Sequence, residues 1–231
     1  MERHLEIFCC PRCREDLVIR DAFIQCGQCG QAYPLQGGIP MMFSPNEWPS
    51  SKQDVTETIR AFYEENPFPN YDEFDSVSSL TDKARRGMFA RLLDDQIPFG
   101  ARVLECGCGT GQLTNFLAVA NRTVIGTDLC MNSLKLAEAF RGKNGLVRAH
   151  FFQMNLFRPC FRPQSFDLVI SNGVLHHTSD PRQGFQSIAS LVRPGGYIIV
   201  GLYDRYGRTL TRLRRGIFKA TMRSSVVSWA R

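Results

Sequence analysis

Two sets of residues in this 231-residue chain are spaced for chemistry. The first is four cysteines. Cys10-Pro11-Arg12-Cys13 and Cys26-Gly27-Gln28-Cys29 form two C-x2-C knuckles. Each knuckle can place two thiolates on one ion, and two knuckles complete a tetrahedral four-sulfur Zn2+ site. Cys9 is a spare thiol, because only Cys10 has the right spacing to Cys13. A disulfide framework is disfavoured: the chain opens without a signal peptide, and thiols stay reduced in the cytosol, so a cytoplasmic location is expected.

The second set lies in residues 103–111, Val-Leu-Glu-Cys-Gly-Cys-Gly-Thr-Gly. Val103-Leu104 suits a buried parallel strand. Gly107, Gly109 and Gly111 supply a turn without Cβ atoms, so a ligand can approach the backbone closely. Apolar residues at 113, 116, 117 and 120 then predict a helix. Strand, glycine turn and helix in that order make a nucleotide-binding crevice. The dinucleotide fingerprint fails, since Gln112 stands where its third glycine belongs. Glu105 would repel a pyrophosphate and suits a cationic, phosphate-free ligand.

The elements that must position these residues follow downstream. Thr123-Val124-Ile125-Gly126-Thr127-Asp128 reads as a second strand ending in an acid. Asp128 could accept bonds from both ribose hydroxyls of a nucleoside, or could cap a helix expected over 131–141. A third strand runs from Ala149 to Gln153, a fourth over 167–171.

Residues 103–111 resemble the first motif of class I S-adenosylmethionine-dependent methyltransferases, an acid followed by Gly-x-Gly-x-Gly. The stretch from Ser165 to His177 is similar to the fourth motif of that family, and Arg193 to Val200 to its turn and fifth strand. The likeness covers about residues 60–203. It implies an α/β fold with a doubly wound, mostly parallel, Rossmann-like sheet, consistent with helices that make right-handed crossovers. It implies S-adenosyl-L-methionine as cofactor, with Glu105 near the methionine moiety and the loop of Gly107, Cys108, Gly109 and Gly111 passing under it. Asp128 would hold the ribose and Leu129 would pack on the adenine. Asn155, Leu156 and Asn172 would complete the cofactor site. Asn155 falls where the family usually has Asp, and a neutral amide would bind the adenine amino group more weakly. His176 and His177 are the titratable residues that the pattern places near the transferred methyl. Either one acts as a base, His177 being favoured, or the pair shapes the loop and starts the next helix.

Residues 5–43 resemble a zinc ribbon, the small activator protein that pairs with methyltransferases acting on tRNA, rRNA and a release factor. Tyr33-Pro34 and Gly38-Ile39-Pro40 match its tail. Leu17-Val18-Ile19 and Phe23-Ile24 read as two short strands, with Gly27 and Gly30 relaxing the second knuckle. So small a unit builds little core, and a structural metal makes physical sense.

The expected organisation is a ribbon (1–44), a linker and helical lid (45–95), a cofactor-binding core (96–204) and a basic tail (205–231). Apolar residues at 55, 59, 62 and 63 predict a helix before Asn66-Pro67-Phe68-Pro69-Asn70-Tyr71. Tyr63, Phe68 and Tyr71 either form a lid or pack on the core. The net charge of +6 comes entirely from residues 205–231, which hold eight Lys or Arg and no acid. Leu210, Leu213, Ile217 and Ala220 could line a helix there. That helix would cap the pocket, touch RNA phosphates or lie on an anionic membrane surface. No 18-residue apolar run is present, so no transmembrane segment is expected. The residues after Val200 carry little strand pattern, which predicts missing C-terminal strands, lower stability and weak or absent activity. Three functions stay open: methyl transfer to a small-molecule acceptor, methylation of an RNA base with RNA as partner, and a cofactor-binding scaffold without turnover.

Overall fold

The computed structural model describes residues 6–20, 23–49, 53–69, 71, 76–202 and 214. The expectations for the basic tail and for missing C-terminal strands lie outside the described residues.

The cysteine knuckles sit on a small antiparallel sheet of β1 (Leu17–Ile19), β2 (Phe23–Cys26), β3 (Ala32–Gln36) and β4 (Ile39–Pro40), paired in that order. The first two strands fall where sequence expects them. The third is hidden from a sequence reading by Pro34, which lacks a ladder donor. Pro34 lies opposite Phe23, and its carbonyl accepts the Met41 N–H at 2.9 Å. Three helices follow: α1 (Thr56–Glu65), α2 (Val77–Arg86) and α3 (Met88–Gln96).

Next comes β5 (Arg102–Cys106), whose alternation decides which faces are buried. Val103 and Glu105 point to one side, Leu104 and Cys106 to the other, and all four are buried. A strand covered on both faces belongs in the middle of a parallel sheet. The sheet contains β6 (Thr123–Asp128), β7 (Ala149–Gln153), β8 (Phe166–Asn172) and β9 (Val192–Gly201), in the order β7-β6-β5-β8-β9, all parallel. The predicted turn at 193–196 is instead a bulge inside β9. Its pairing jumps from Phe166↔Val192 to Leu168↔Tyr197, with Gly195 at φ +76°.

One face is covered by α2, α3, α4 (Gln112–Ala118) and α5 (Met131–Lys143), around Val103, Leu117, Val124 and Leu134. On the other face, α6 (Pro181–Ala189) contributes Ile188. The connection from β7 to β8 has no helix, and the ribbon fills that place. Ile7, Phe8, Ile24, Tyr33 and Met42 share one buried cluster with Leu104, Ile125, Phe152 and Phe166. The Phe8 ring lies 4.9 Å from Phe152 and 5.0 Å from Phe161. Backbone bridges join Phe8 to Phe161 and, in parallel, Met41 to Gln153 at the edge of β7. The Arg14 guanidinium donates to the carbonyls of Pro159 and Phe161. The ribbon is therefore a layer of the main fold. Among the described residues no helix is long and apolar enough to cross a membrane.

A shared core unfolds as one unit. Phe161→Ala is expected to cost about 3–5 kcal/mol in urea melts of the zinc-loaded protein. Ribbon and sheet should melt together, and two separated transitions in the unsubstituted protein would refute the shared core.

Candidate active site

The carboxyl ends of β5, β6, β7 and β8 open into a cavity of about 600 Å³, a size typical of small-ligand sites. It lies where the chain order reverses about β5, the usual crevice of an open parallel sheet.

Its floor is the glycine loop. Gly107, Gly109 and Gly111 have φ of +75°, +53° and +71°, a left-handed backbone that side chains resist. Their missing Cβ atoms also relieve contacts within the protein. A Cβ on Gly109 would lie 2.3 Å from the Phe68 carbonyl oxygen, and one on Gly107 2.3 Å from Val174. Gly111 departs from its expected place, since it does not line the cavity. A Cβ there would lie 2.5 Å from the Phe151 ring and 2.7 Å from Ala137, so its bareness lets α4 pack closely on β7 and α5.

Two carboxylates stand above the floor on neighbouring strands. Glu105 is 8% exposed, and its Oε2 accepts the Thr114 hydroxyl at 2.5 Å. Burial pushes its carboxyl up to about 7, against the Thr114 bonds and with help from Asp128. Asp128 accepts the Gly109 N–H at 2.8 Å and the Cys130 N–H at 2.9 Å. Burial raises its pKa too, opposed by these backbone donors. Asp128 is not the cap of α5: Cys130 holds that position, its Sγ accepting the Ser133 N–H.

The roof is α1 with the chain after it. Val55, Ile59, Arg60 and Tyr63 line the cavity, and Glu64 latches the helix by accepting the Met131 and Asn132 N–H groups at 2.8 and 2.9 Å. Phe68 lines the rim and is largely exposed. Tyr71 takes the other alternative left open above. Its ring stacks on Phe140 at 4.7 Å and its hydroxyl donates to the Thr110 carbonyl at 2.8 Å, anchoring the segment to the core. Leu80, Lys83 and Phe89 close the side.

Cys108, Leu129, Leu156 and Asn172 all line the cavity. Asn155 lines it as well, but its side chain is committed within the protein, donating to the Ser44 carbonyl and Asn46 and accepting from Phe157. The histidine pair is divided. Both sit on a 3₁₀ turn, Leu175–His177, but only His177 reaches the cavity wall. His176 lies off it, with its ring packed at 4.1 Å from that of His177. Glu64 and Asn46 escape a sequence reading because their partners are distant in the chain, and Thr114, nine positions from Glu105, because no local pattern marks it.

The ribbon cysteines converge. The sulfurs of Cys10, Cys13, Cys26 and Cys29 all lie within 4.8 Å of one another. Cys10 and Cys29 are 3.8 Å apart, Cys13 and Cys26 3.4 Å. Tetrahedral sulfurs bonded to zinc at about 2.3 Å lie about 3.8 Å apart, so the four residues fit a zinc ion. Cys9 is outside the cluster, its N–H bonded to the Cys160 carbonyl. The Tyr33 hydroxyl lies 3.1 Å from Cys10 Sγ, a reason for tyrosine in the ribbon tail. Gly30 supplies the left-handed turn of the second knuckle at φ +70°.

Residues 104–200 match the family model described as "Methyltransferase domain". Over 107 residues the chain is 35% identical to a ubiquinone biosynthesis O-methyltransferase of Paracidovorax citrulli, covering 46% of this chain and 45% of that protein. Among solved structures, the [4+2]-cyclase SpnF superposes with a TM-score of 0.52 at 17% identity, covering 64% of this chain and 61% of that one. A chain from the complex of the Haloferax volcanii Trm112 methyltransferase activator gives 0.50 at 17% identity, covering 71% and 67%. These structures share the fold. The chain spans about a quarter to a half of the length of the curated relatives it matches.

Two measurements follow. The folded pKa of Glu105, about 7, exceeds its ordinary 4.5, so the folded state keeps a proton that the unfolded chain has lost. That contribution to stability is full below pH 4.5 and is lost as pH rises through about 7. The urea midpoint of ligand-free protein should therefore fall from about pH 5 to about pH 8, and Glu105→Gln should flatten the fall; an unchanged slope in the variant refutes the assignment. Elemental analysis should find one Zn2+ per chain, and Cys26→Ser should lose it and lower the urea midpoint.

Proposed function

We propose that this chain, whose residues 104–200 form a methyltransferase domain, is an S-adenosylmethionine-dependent methyltransferase that acts on a small-molecule acceptor. One observation carries the reading: two carboxylates, the buried Glu105 and the half-buried Asp128, stand on neighbouring strands and open into one roofed cavity.

The cofactor, when bound, supplies a methyl group activated on a positively charged sulfonium. The residues present fit such a group. Burial shifts Glu105 toward its neutral form, and a cationic methionine half would favour the charged one. Asp128 is oriented by two backbone N–H groups and keeps lone pairs for ribose hydroxyls. Leu129 and Leu156 flank the place for the base, while Gly107, Cys108 and Gly109 present backbone. Gly111 supports them through packing, and Asn172 stands at the end of β8, next to the loop that bears His177.

The same cavity is mostly apolar, with Ile59, Tyr63, Phe89 and Val174 also in its walls. A roofed apolar chamber suits a small acceptor better than a base carried on structured RNA. Holding acceptor and methyl in line there can lower the barrier by roughly 7–11 kcal/mol. His177 is the proposed base: its imidazole takes the proton of an acceptor hydroxyl or amine as attack proceeds. We read the zinc ribbon as structural support, and cytoplasm as the location of a reduced four-thiolate site.

The test is calorimetric titration of the zinc-loaded protein with S-adenosylhomocysteine. Micromolar binding is expected, weakened roughly 10–100-fold by Asp128→Ala or Glu105→Ala. Absent binding by the folded protein overturns the reading. Binding without methylated product across a broad panel of hydroxyl and amine acceptors would favour the scaffold. Turnover on structured RNA, with a steep salt dependence, would favour an RNA acceptor.

A further inference from the structure

Asn155 stands where the resemblance to class I methyltransferases implies an acid, and its surroundings give a reason. The residue is 1% exposed. Its Nδ2 donates both protons, to the Ser44 carbonyl at 3.0 Å and to Asn46 Oδ1 at 2.8 Å. Its Oδ1 accepts the Phe157 N–H at 3.1 Å. Ser44 and Asn46 belong to the stretch that leads from the ribbon to α1.

The direction of these bonds is set from the far end. Asn46 Nδ2 donates to Asp54 Oδ2 at 2.9 Å and to Thr56 Oγ1 at 3.0 Å. Asp54 Oδ1 accepts the N–H of Thr56, the first residue of α1, at 2.9 Å. Although burial opposes ionisation, donors from Thr56, Asn46 and Ser179 hold the Asp54 carboxyl below its ordinary range. A fixed acceptor at Asp54 makes Asn46 present nitrogen to it and oxygen to residue 155. Residue 155 must then answer with a donor. An amide does so and still has an oxygen for the Phe157 N–H. A carboxylate would set oxygen against both Asn46 Oδ1 and the Ser44 carbonyl, leaving buried acceptors opposed.

We infer that Asn155 is a positioning residue: its amide, oriented through Asn46 by Asp54, fixes the cavity wall formed by Leu156 and Phe157 and ties that wall to the start of α1. An acid at this position therefore weakens cofactor binding, although such an acid is expected to favour it in the wider family. This inference rests on the cofactor reading proposed above.

The test titrates S-adenosylhomocysteine into four zinc-loaded proteins: the unsubstituted chain, Asn155→Asp, Asp54→Asn and the double variant. Each single substitution should weaken binding, Asn155→Asp by roughly tenfold or more. The double variant should recover part of the loss. With both changes the Asn46 amide can turn over, donating to the carboxylate at 155 and accepting from the amide at 54 and the Thr56 hydroxyl. The Ser44 carbonyl stays opposed to the carboxylate, so recovery is partial. Plain structural damage would add up in the double variant, so recovery reads the bond polarity itself. Circular dichroism checks folding; if Asn155→Asp does not fold, Asn46→Ala takes its place, with several-fold weaker binding expected. No binding by the unsubstituted protein removes the cofactor reading and this inference with it. Binding by the unsubstituted protein together with equal or tighter binding by Asn155→Asp, equal binding by its Asn46→Ala substitute, or additive losses in the pair, overturns this inference alone.

Discussion

Glu105 is a carboxylate almost shut off from water at the end of the central strand. Ionising such a group in an apolar interior is costly without a partner. The Thr114 hydroxyl meets one oxygen, and burial raises the carboxyl to about 7, so it holds its proton far more readily than an exposed carboxylate. Much of the architecture follows from keeping this position dry. The sheet must be covered on both faces, the glycine loop must turn tightly beside it, and α1 must close overhead. The same dryness strengthens the pull on any cation that enters, because fewer waters compete. A site of this kind is selective by charge before any base or ribose is recognised.

Covering both faces is the harder structural problem. Two helices that connect strands, α4 and α5, lie on one face with α2 and α3. On the other, the β7-to-β8 connection runs without a helix, and Leu104, Phe152 and Phe166 would lose their cover. Phe8, Ile24, Tyr33 and Met42 of the ribbon supply it. The ribbon is too small to hold its own shape by burial alone. Its four converging thiols and the Tyr33 hydroxyl on Cys10 give the means for a metal to hold it. The cysteine cluster and the sheet are thus linked through one apolar cluster.

Local pattern made much of this legible in the sequence. Strict spacing marked the four cysteines, and runs of β-branched and aromatic residues ending in polar ones marked the five parallel strands. Glu105, Asp128, Leu129, Leu156 and Asn172, singled out from motif order, converge on one cavity. What stayed hidden depends on partners remote in the chain. Asn155 and Asn46 are 109 positions apart, and nothing near either announces the bond. Gly111 reads like its two neighbours, and only the Phe151 ring beside it separates packing from ligand approach. Tyr71 looks like an exposed ring in a proline-rich turn until Phe140 is seen beneath it. Pro34 reads as a break because propensity reports a missing donor without reporting that its carbonyl still has a use. The docking of the ribbon follows from a helix the β7-to-β8 connection lacks, which no local pattern records.

The parallel bridge between Met41 and Gln153 has a further consequence. An open sheet edge offers a row of unpaired donors and acceptors to any passing strand. Here that offer is taken, at one end of β7, by the chain itself. A contact within one polypeptide has an effective concentration set by its tether, so dilution does not dissolve it. The layer that covers this sheet is present in one copy for every copy of the sheet, at any abundance of the protein, and needs no encounter to arrive.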